Sequence, residues 1–412
     1  MIQELCKKCK SAVHGSASAG GADRNAVLTE LKALLLSSAS ALIAENAKDL
    51  KIAAENGKNS AFLDRLALNS DRIKGMANGL DDIIKLPYPV GEVVDSYVRP
   101  NGLRVEKVRS PLGVIGIIFE ARPNVAIDAS ALCIKSGNGV VLRGSRDSRY
   151  SVAFLVELIK KALASHGISQ DAICNIEGAD RAITTELLKQ DKYIDVVIPR
   201  GGEALKKAVL SQATMPVIAS SGGNCHQYIA ESANEDMAIA VAINAKISRP
   251  STCNALETLL ISANKSPAFV KKVVEELQKN GVEVRGSEAV NAITPVKVID
   301  SEEFYIEYND MIIKLDIVAD VTEAIVHINE YSTHHSEAII SSDEAECQKF
   351  CAEVDSAAVY VNASTRFTDG FELGLGAEMG ISTQKLHVRG PIGLTELTSV
   401  RYIVTGDYTI RK

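Results

Sequence analysis

The sequence predicts an α/β protein of two mainly parallel-sheet units, with a β-rich segment ahead of the first sheet. Three observations carry this. From Leu112 onward, short all-apolar runs alternate with helix-like segments. The alternation restarts near residue 240. A strong hairpin signal, Asn101-Gly102, lies in a charge-alternating stretch just before the first apolar run.

The elements follow in order. Residues 1–85 are rich in Ala, Leu, Lys and Glu and read as several helices. EVVDSYVRPNGLRVEKVRS (92–110) reads as a hairpin suited to extending another sheet or another subunit. LGVIGIIF (112–119) and GVVLR (139–143) are buried strands, and SVAFLVELIKKALASH (151–166) is a helix. YIDVVIP (193–199) leads into the helix GGEALKKAVL, and PVIAS (216–220) reads as a further strand. AIAVAINAKI (238–247) is a helix, and ETLLISA is the strand after it. SPAFVKKVVEELQKNG (266–281) carries Ser266 as N-cap, Pro267 in the first turn and Gly281 as stop. PVKVI (295–299), EAIIS (337–341) and AAVYV (357–361) complete the strands. Such alternation implies a parallel sheet with helices on both faces.

Composition narrows the function classes. At 412 residues, 46% hydrophobic and 24% charged, the chain matches a soluble globular protein of two or three domains. A net charge of −7 gives no global attraction to nucleic acid or an anionic membrane, so an anionic substrate needs local positive charge. No apolar run approaches a membrane span, and MIQELCKKCKSAV lacks the apolar centre of a secretory signal. A cytoplasmic protein is expected, with its eight cysteines as thiols. Cys6 and Cys9 form a single CxxC on what reads as a surface helix, and Cys347 and Cys351 read as packing residues.

Several stretches place reactive side chains at loop–element junctions. IPRGGEAL (198–205) sets Arg200, Gly201 and Gly202 between a strand and a helix, a phosphate cradle or a plain tight turn. LRGSRDS (142–148) puts Arg143 and Ser145 where a basic residue meets an adenosine 2′-phosphate or stays solvated. Two cysteines compete as nucleophile. In SSGGNCHQY (220–228), Cys225 and His226 are neighbours in extended chain, so their side chains diverge and Cys225 reads as packing. In SRPSTCNALETLL, Cys253 stands where a loop enters a strand, with Arg249 nearby to favour a thiolate. His334-His335 lacks the companions of a metal site, so a polar substrate contact or a structural hydrogen bond is the reading and no metal is expected. Arg366, after the strand AAVYVN, is a clamp for carboxylate or phosphate, or a surface arginine.

The stretches SPLGVIGIIFEARPNV, VIPRGGEAL, SSGGNCH, RPSTCNALETLL, VHINEYSTHHSEAII and FELGLGAEMGISTQKLHVRGP, in this order, resemble the gamma-glutamyl phosphate reductase family of the aldehyde dehydrogenase superfamily. The likeness runs from about residue 10 to past residue 400. It implies an aldehyde dehydrogenase-like fold: a discontinuous dinucleotide-binding domain (1–92 and 111–240, with 376–395 returning to it), a catalytic domain (241–375), and an oligomerisation element (93–110 and 396–412). It implies NADPH-dependent reduction of L-glutamyl 5-phosphate to the semialdehyde in proline biosynthesis, with NADP(H) as cofactor, by a homodimer or higher homo-oligomer. A glutamate 5-kinase is the implied partner.

The resemblance makes Cys253 the nucleophile, attacking the acyl phosphate to leave a thioester for hydride reduction. Asn124 is the implied oxyanion donor beside the Cys253 N–H. Arg122, Arg366 and His335 are the implied substrate contacts. The superfamily's ribose-contacting glutamate falls at Glu302 or Glu303, with Glu303 taken forward. Hydrolytic relatives carry a glutamate where Ser220-Ser221 stand, and its absence suits an enzyme whose thioester must survive until hydride arrives. The rivals are a hydrolytic aldehyde dehydrogenase and a catalytically silent nucleotide-binding protein.

Overall fold

Helices occupy the first 85 residues, as their composition requires: α1 (Ile2–Gly15), α2 (Gly21–Ser37), α3 (Ala39–Glu55), α4 (Ser60–Leu66) and α5 (Ser70–Lys85). Asn59 and Asn69 cap the last two by accepting from the backbone N–H of Phe62 and Arg72. The computed structural model describes residues 1–15, 19–178 and 180–411; the expected spans therefore include residues 16–18, 179 and 412, which lie outside the described residues. The α1 helix lies at the surface with one face turned inward: Gln3, Glu4, Lys7, Lys8 and Ser11 are exposed. Cys6 and Cys9 are wholly buried in a cluster with Val114, Val141 and Val197.

The Asn101-Gly102 signal gives the hairpin β1 (Val93–Val98) and β2 (Arg104–Pro111), with Val98 paired to Arg104. Next come β3 (Val114–Phe119), α6 (Val125–Lys135), β4 (Gly139–Arg143), α7 (Arg149–Ser165), β5 (Ile173–Asn175), α8 (Arg181–Leu187), β6 (Val196–Arg200) and α9 (Glu203–Gln212). All strand pairs among β3–β6 are parallel, in the order β5-β4-β3-β6. Every residue of β3 is buried, which explains its uninterrupted apolar run. The chain steps outward from β3 to β5, then returns to β6 on the other side. The carboxyl ends of β3 and β6 therefore form the switch point where such sheets bind ligands. PVIAS adds only a single bridge, Val197 to Val217, rather than a strand.

The second sheet is built from β7 (Cys225–Ile229), α10 (Glu235–Ile247), β8 (Leu256–Ser262), α11 (Pro267–Lys279), β9 (Glu283–Gly286), α12 (Glu288–Asn291), β10 (Lys297–Val298), β11 (Ile312–Val318), α13 (Val321–Tyr331), β12 (Ser336–Ile340), α14 (Glu344–Glu353) and β13 (Ala358–Val361). Its seven strands, in the order β10-β9-β11-β8-β7-β12-β13, pair in parallel throughout. The short β14 (Ile381–Ser382) and β15 (Gly390–Pro391) pair with each other, and β16 (Thr398–Thr405) pairs antiparallel with β2. The β1-β2-β16 sheet leaves Val98, Tyr402 and Val404 exposed.

The chain divides into two compact units. Unit 1 comprises Met1–Ala219, Leu375–Gly380 and the chain from Ile392 onward; unit 2 comprises Ser220–Gly374 and Ile381–Pro391. The division falls after Ala219 instead of near residue 240, because β7 is hydrogen-bonded between β8 and β12. Within 376–395, residues 381–391 belong to unit 2. Ser221 N–H donates to Ile381 O at 2.9 Å, and Lys385 and Arg389 both pair with Asp355. No single helix among the described residues is long and apolar enough to cross a membrane.

Candidate active site

In unit 2 the reactive side chains gather where loops enter the amino ends of β7, β8 and β12. Cys253 is half-buried in the turn before β8. Gly223, just before β7, lies directly against it: a Cβ on Gly223 would sit 1.3 Å from the Cys253 carbonyl oxygen. That contact admits only glycine. Cys225 is wholly buried below, donating its Sγ–H to the Cys253 carbonyl at 3.2 Å. Burial pushes the Cys225 thiol well above its usual range, so it packs instead of reacting.

A second set of bonds fixes the loop from the other side. Asn254 Nδ2 donates to Thr368 O at 2.9 Å and Arg366 O at 3.2 Å, and Thr365 Oγ1 donates to Asn254 O at 2.7 Å. Arg366 was expected to hold substrate. Instead its Nε donates to Ser248 Oγ and its Nη1 to Thr252 Oγ1, each at 3.0 Å, with a further bond from Nη1 to Asn254 Oδ1. Burial, and next the nearby Arg249, lowers its pKa. These donors tie Arg366 to the turn that carries Cys253.

His335 also differs from expectation. It is wholly buried, with Nδ1 2.7 Å from Ser336 Oγ and 3.9 Å from Cys225 Sγ, and burial lowers its pKa to about 4. A neutral imidazole enclosed at the start of β12 is a core group, not a substrate contact.

The carboxylate beside Gly222 and Gly223, next to the Cys253 turn, is Glu307. Its Oε1 accepts from Gly223 N–H at 2.8 Å, and a Cβ on Gly222 would fall 2.3 Å from its Oε2. Glu303 points elsewhere, into a pair with Arg285 at 2.5 Å and a hydrogen bond from the Tyr308 hydroxyl at 2.5 Å. The stretch SEEFYIEYND offers three glutamates with no local feature to choose among them, so sequence reasoning missed Glu307.

Unit 1 carries the anion-binding candidates. At the switch point, Arg200 ends β6 and Gly202 caps α9. A Cβ on Gly201 would lie 2.6 Å from Glu120 Cδ, and Gly202 N–H donates to Glu120 Oε2 at 3.2 Å. A carboxylate of the chain itself, the exposed Glu120, thus occupies the turn where a phosphate was expected.

Arg143, at the end of β4, lines a cavity of about 380 Å³ together with Gly144, Ser145, Arg146 and Arg149. It is only 8% exposed, and its acceptors are neutral: Thr184 Oγ1 and the carbonyls of Gly144, Ile176 and Asp180, at 3.3 to 3.5 Å. Burial lowers its pKa. A buried guanidinium without a carboxylate among the described residues suits a cavity that receives an anion. Ser145 is less available, because its hydroxyl donates to Asp147 Oδ2 at 2.9 Å.

Arg122 is exposed in the turn between β3 and α6. Asn124 caps α6 without a side-chain cap bond; its Nδ2 donates instead to Asp128 Oδ2 at 2.9 Å. Burial raises the Asp128 carboxyl to about 6, against the opposing pull of that bond and of Arg200. Sequence reasoning also missed Asp128, which fixes how the Asn124 amide points.

The aldehyde dehydrogenase family model matches residues 2–308. Gamma-glutamyl phosphate reductases from Carboxydothermus hydrogenoformans and Halalkalibacterium halodurans are each 46% identical to the chain; the matches cover 100% of this chain and 99% and 100% of theirs. A solved gamma-glutamyl phosphate reductase from Thermotoga maritima superposes with a TM-score of 0.98 at 43% identity, covering 100% of both chains. The chain belongs to the aldehyde dehydrogenase family and, within it, to the gamma-glutamyl phosphate reductases.

Proposed function

We propose that the chain reduces L-glutamyl 5-phosphate to L-glutamate 5-semialdehyde with NADPH, releasing phosphate, as a cytoplasmic step of proline biosynthesis. The observation that carries this is the contrast between two thiols. Cys253 is half-buried on a braced turn, whereas Cys225 is sealed in the core. Support for the substrate comes from the relatives' name and the full-length match.

Cys253, half-buried, gives up its thiol proton to solvent, and the thiolate attacks the acyl carbon. The carbon–oxygen bond to phosphate breaks, leaving a glutamyl thioester. When bound, the reduced nicotinamide would supply the hydride that converts this thioester to aldehyde and returns the Cys253 thiolate. The Cys253 backbone N–H and the Asn124 amide, oriented by Asp128, are the donors assigned to the developing oxyanion. Arg122 is assigned to the substrate's carboxylate or phosphate. On the cofactor side, Arg143 and Ser145 take the adenosine end, and Arg200, Gly201 and Gly202 take the pyrophosphate. Glu307 replaces Glu303 as the carboxylate for the nicotinamide ribose, because Glu303 is held by Arg285.

Unit 1 is then the dinucleotide-binding unit and unit 2 the catalytic one. The β1-β2-β16 sheet is the oligomerisation element, since its edge and apolar face invite a second copy. A glutamate 5-kinase is the partner that delivers the labile acyl phosphate. The test is run in reverse, supplying semialdehyde and NADP+ with and without phosphate. Sustained NADPH formation should require phosphate. Sustained turnover without it would identify a hydrolytic dehydrogenase instead.

A further inference from the structure

Unit 2 encloses a lysine that the reaction as outlined leaves unused. Lys314 lies mid-strand in β11 and is wholly buried. A buried ammonium is tolerated only where its N–H groups are matched. Here all three find acceptors: Nζ donates to Asn224 Oδ1 at 2.7 Å, to Phe304 O at 3.2 Å, and to Ile306 O.

Those acceptors converge on the site. Asn224 follows Gly223, and Phe304 and Ile306 lead into Glu307. Asn224 Nδ2 adds bonds to Phe304 O at 2.8 Å and to Tyr331 O at 2.7 Å. One nitrogen therefore joins the segment bearing Gly222 and Gly223 to the turn that ends on Glu307. Glu307 in turn accepts from Gly223, which rests on the Cys253 backbone.

We propose that Lys314 is a positioning residue: its ammonium locks the 304–307 turn to the Gly222–Asn224 segment and so holds Glu307 against the nucleophile turn. This rests on the reading of Glu307 as the ribose carboxylate.

The charge state matters, because a neutral amine has only two N–H donors for these three acceptors. The surrounding charged and titratable groups are known. Glu257 on β8 and Lys246 on α10 pair at 3.0 Å. Glu303, Glu307 and Tyr308 lie in the turn, with the Tyr308 ring centre 5.2 Å from Nζ. His226 on β7 and His327 on α13 complete the shell, and burial lowers the pKa of both. Burial pushes Lys314 down to about 8, with Lys246 adding to that effect and the carboxylates opposing it.

The sign separates positioning from mere stabilisation. A lysine titrating lower when folded than its ordinary ~10.4 binds fewer protons than the unfolded chain between those two values. Its contribution to stability therefore rises with pH across that window, while the turn it holds loosens.

The experiment measures kcat and KM across the neutral to alkaline range, in the direction of NADPH formation with phosphate present. It compares wild type, Lys314→Met, Glu307→Gln and the double variant. Wild-type kcat should fall on the alkaline side with a midpoint near 8. Lys314→Met should lower kcat by roughly tenfold to a hundredfold, with smaller changes in KM, and should lack the alkaline fall. Glu307→Gln should lack that fall too, and the double variant should be no worse than the poorer single one.

A folded Lys314→Met with wild-type kcat, or losses that multiply in the double variant, overturns the assignment. If Lys314→Met does not fold, the Glu307→Gln profile decides: a persisting alkaline fall overturns the assignment, and its absence supports it. A Glu307→Gln variant indistinguishable from wild type overturns both readings. A crippled Glu307→Gln beside a folded, fully active Lys314→Met overturns only the role of Lys314.

Discussion

Gly223 and Cys253 meet backbone to backbone, leaving no room for a single added carbon. The turn that presents the thiol thus takes its position from a glycine thirty residues earlier in the chain. Gly223→Ala must displace either segment. Because near-attack geometry tolerates about 1 Å of error before rates fall on the order of 10²-fold, turnover should drop by about that factor. Steady-state rates, read beside an unchanged far-ultraviolet dichroism spectrum, check this.

Alkylation separates the two thiols. Iodoacetamide at neutral pH should label Cys253 before Cys225, since burial raises the Cys225 pKa and hides its sulfur. Peptide mapping over a time course gives the order. Labelling of Cys225 first would reopen the choice of nucleophile.

The Lys246–Glu257 pair, 3.0 Å apart and wholly enclosed, anchors the same region. Glu257 also accepts from the backbone N–H of Tyr308 at 3.0 Å and Asn309 at 3.3 Å. Removing one partner strands a charge, so Lys246→Met should destabilise the protein by about 3–5 kcal/mol in denaturant unfolding. Lys246→Met with Glu257→Gln should recover part of that loss.

Arg143 supplies the cofactor-side prediction. Arg143→Met removes a buried guanidinium whose acceptors are all neutral. Losing a charge-assisted bond of about 1.5–3 kcal/mol should raise the KM for NADPH by roughly tenfold to a hundredfold. The KM for glutamyl phosphate should stay near that of wild type, as initial-rate kinetics would show.

Much of the fold was legible, and the reasons are local. The all-apolar β3 reads as a buried strand because both of its faces are covered. The hairpin is announced by Asn101-Gly102, and α11 by Ser266, whose side chain accepts from Phe269 N–H. By contrast, β11 was missed, because Lys314 and Asp316 break its apolar run. A strand can bury a lysine only when distant segments bring acceptors to it, and no window of sequence shows that. The site divides in the same way. Cys253 and the glycines were visible as residue types at junctions. The burial of His335, the bonding of Arg366 and the different partners of Glu307 and Glu303 depend on residues far away in the chain. Cys351, expected to pack, is exposed at the end of α14, whereas Cys347 one turn earlier is buried.

The acylated sulfur itself is the most direct target. With semialdehyde and NADP+ but no phosphate, the enzyme should release a rapid burst of NADPH stoichiometric with its sites and then stall. Mass spectrometry of the quenched protein should find the glutamyl group on Cys253, and added phosphate should restart turnover. Steady NADPH production without phosphate, or an acyl group carried by any other residue, would contradict the account.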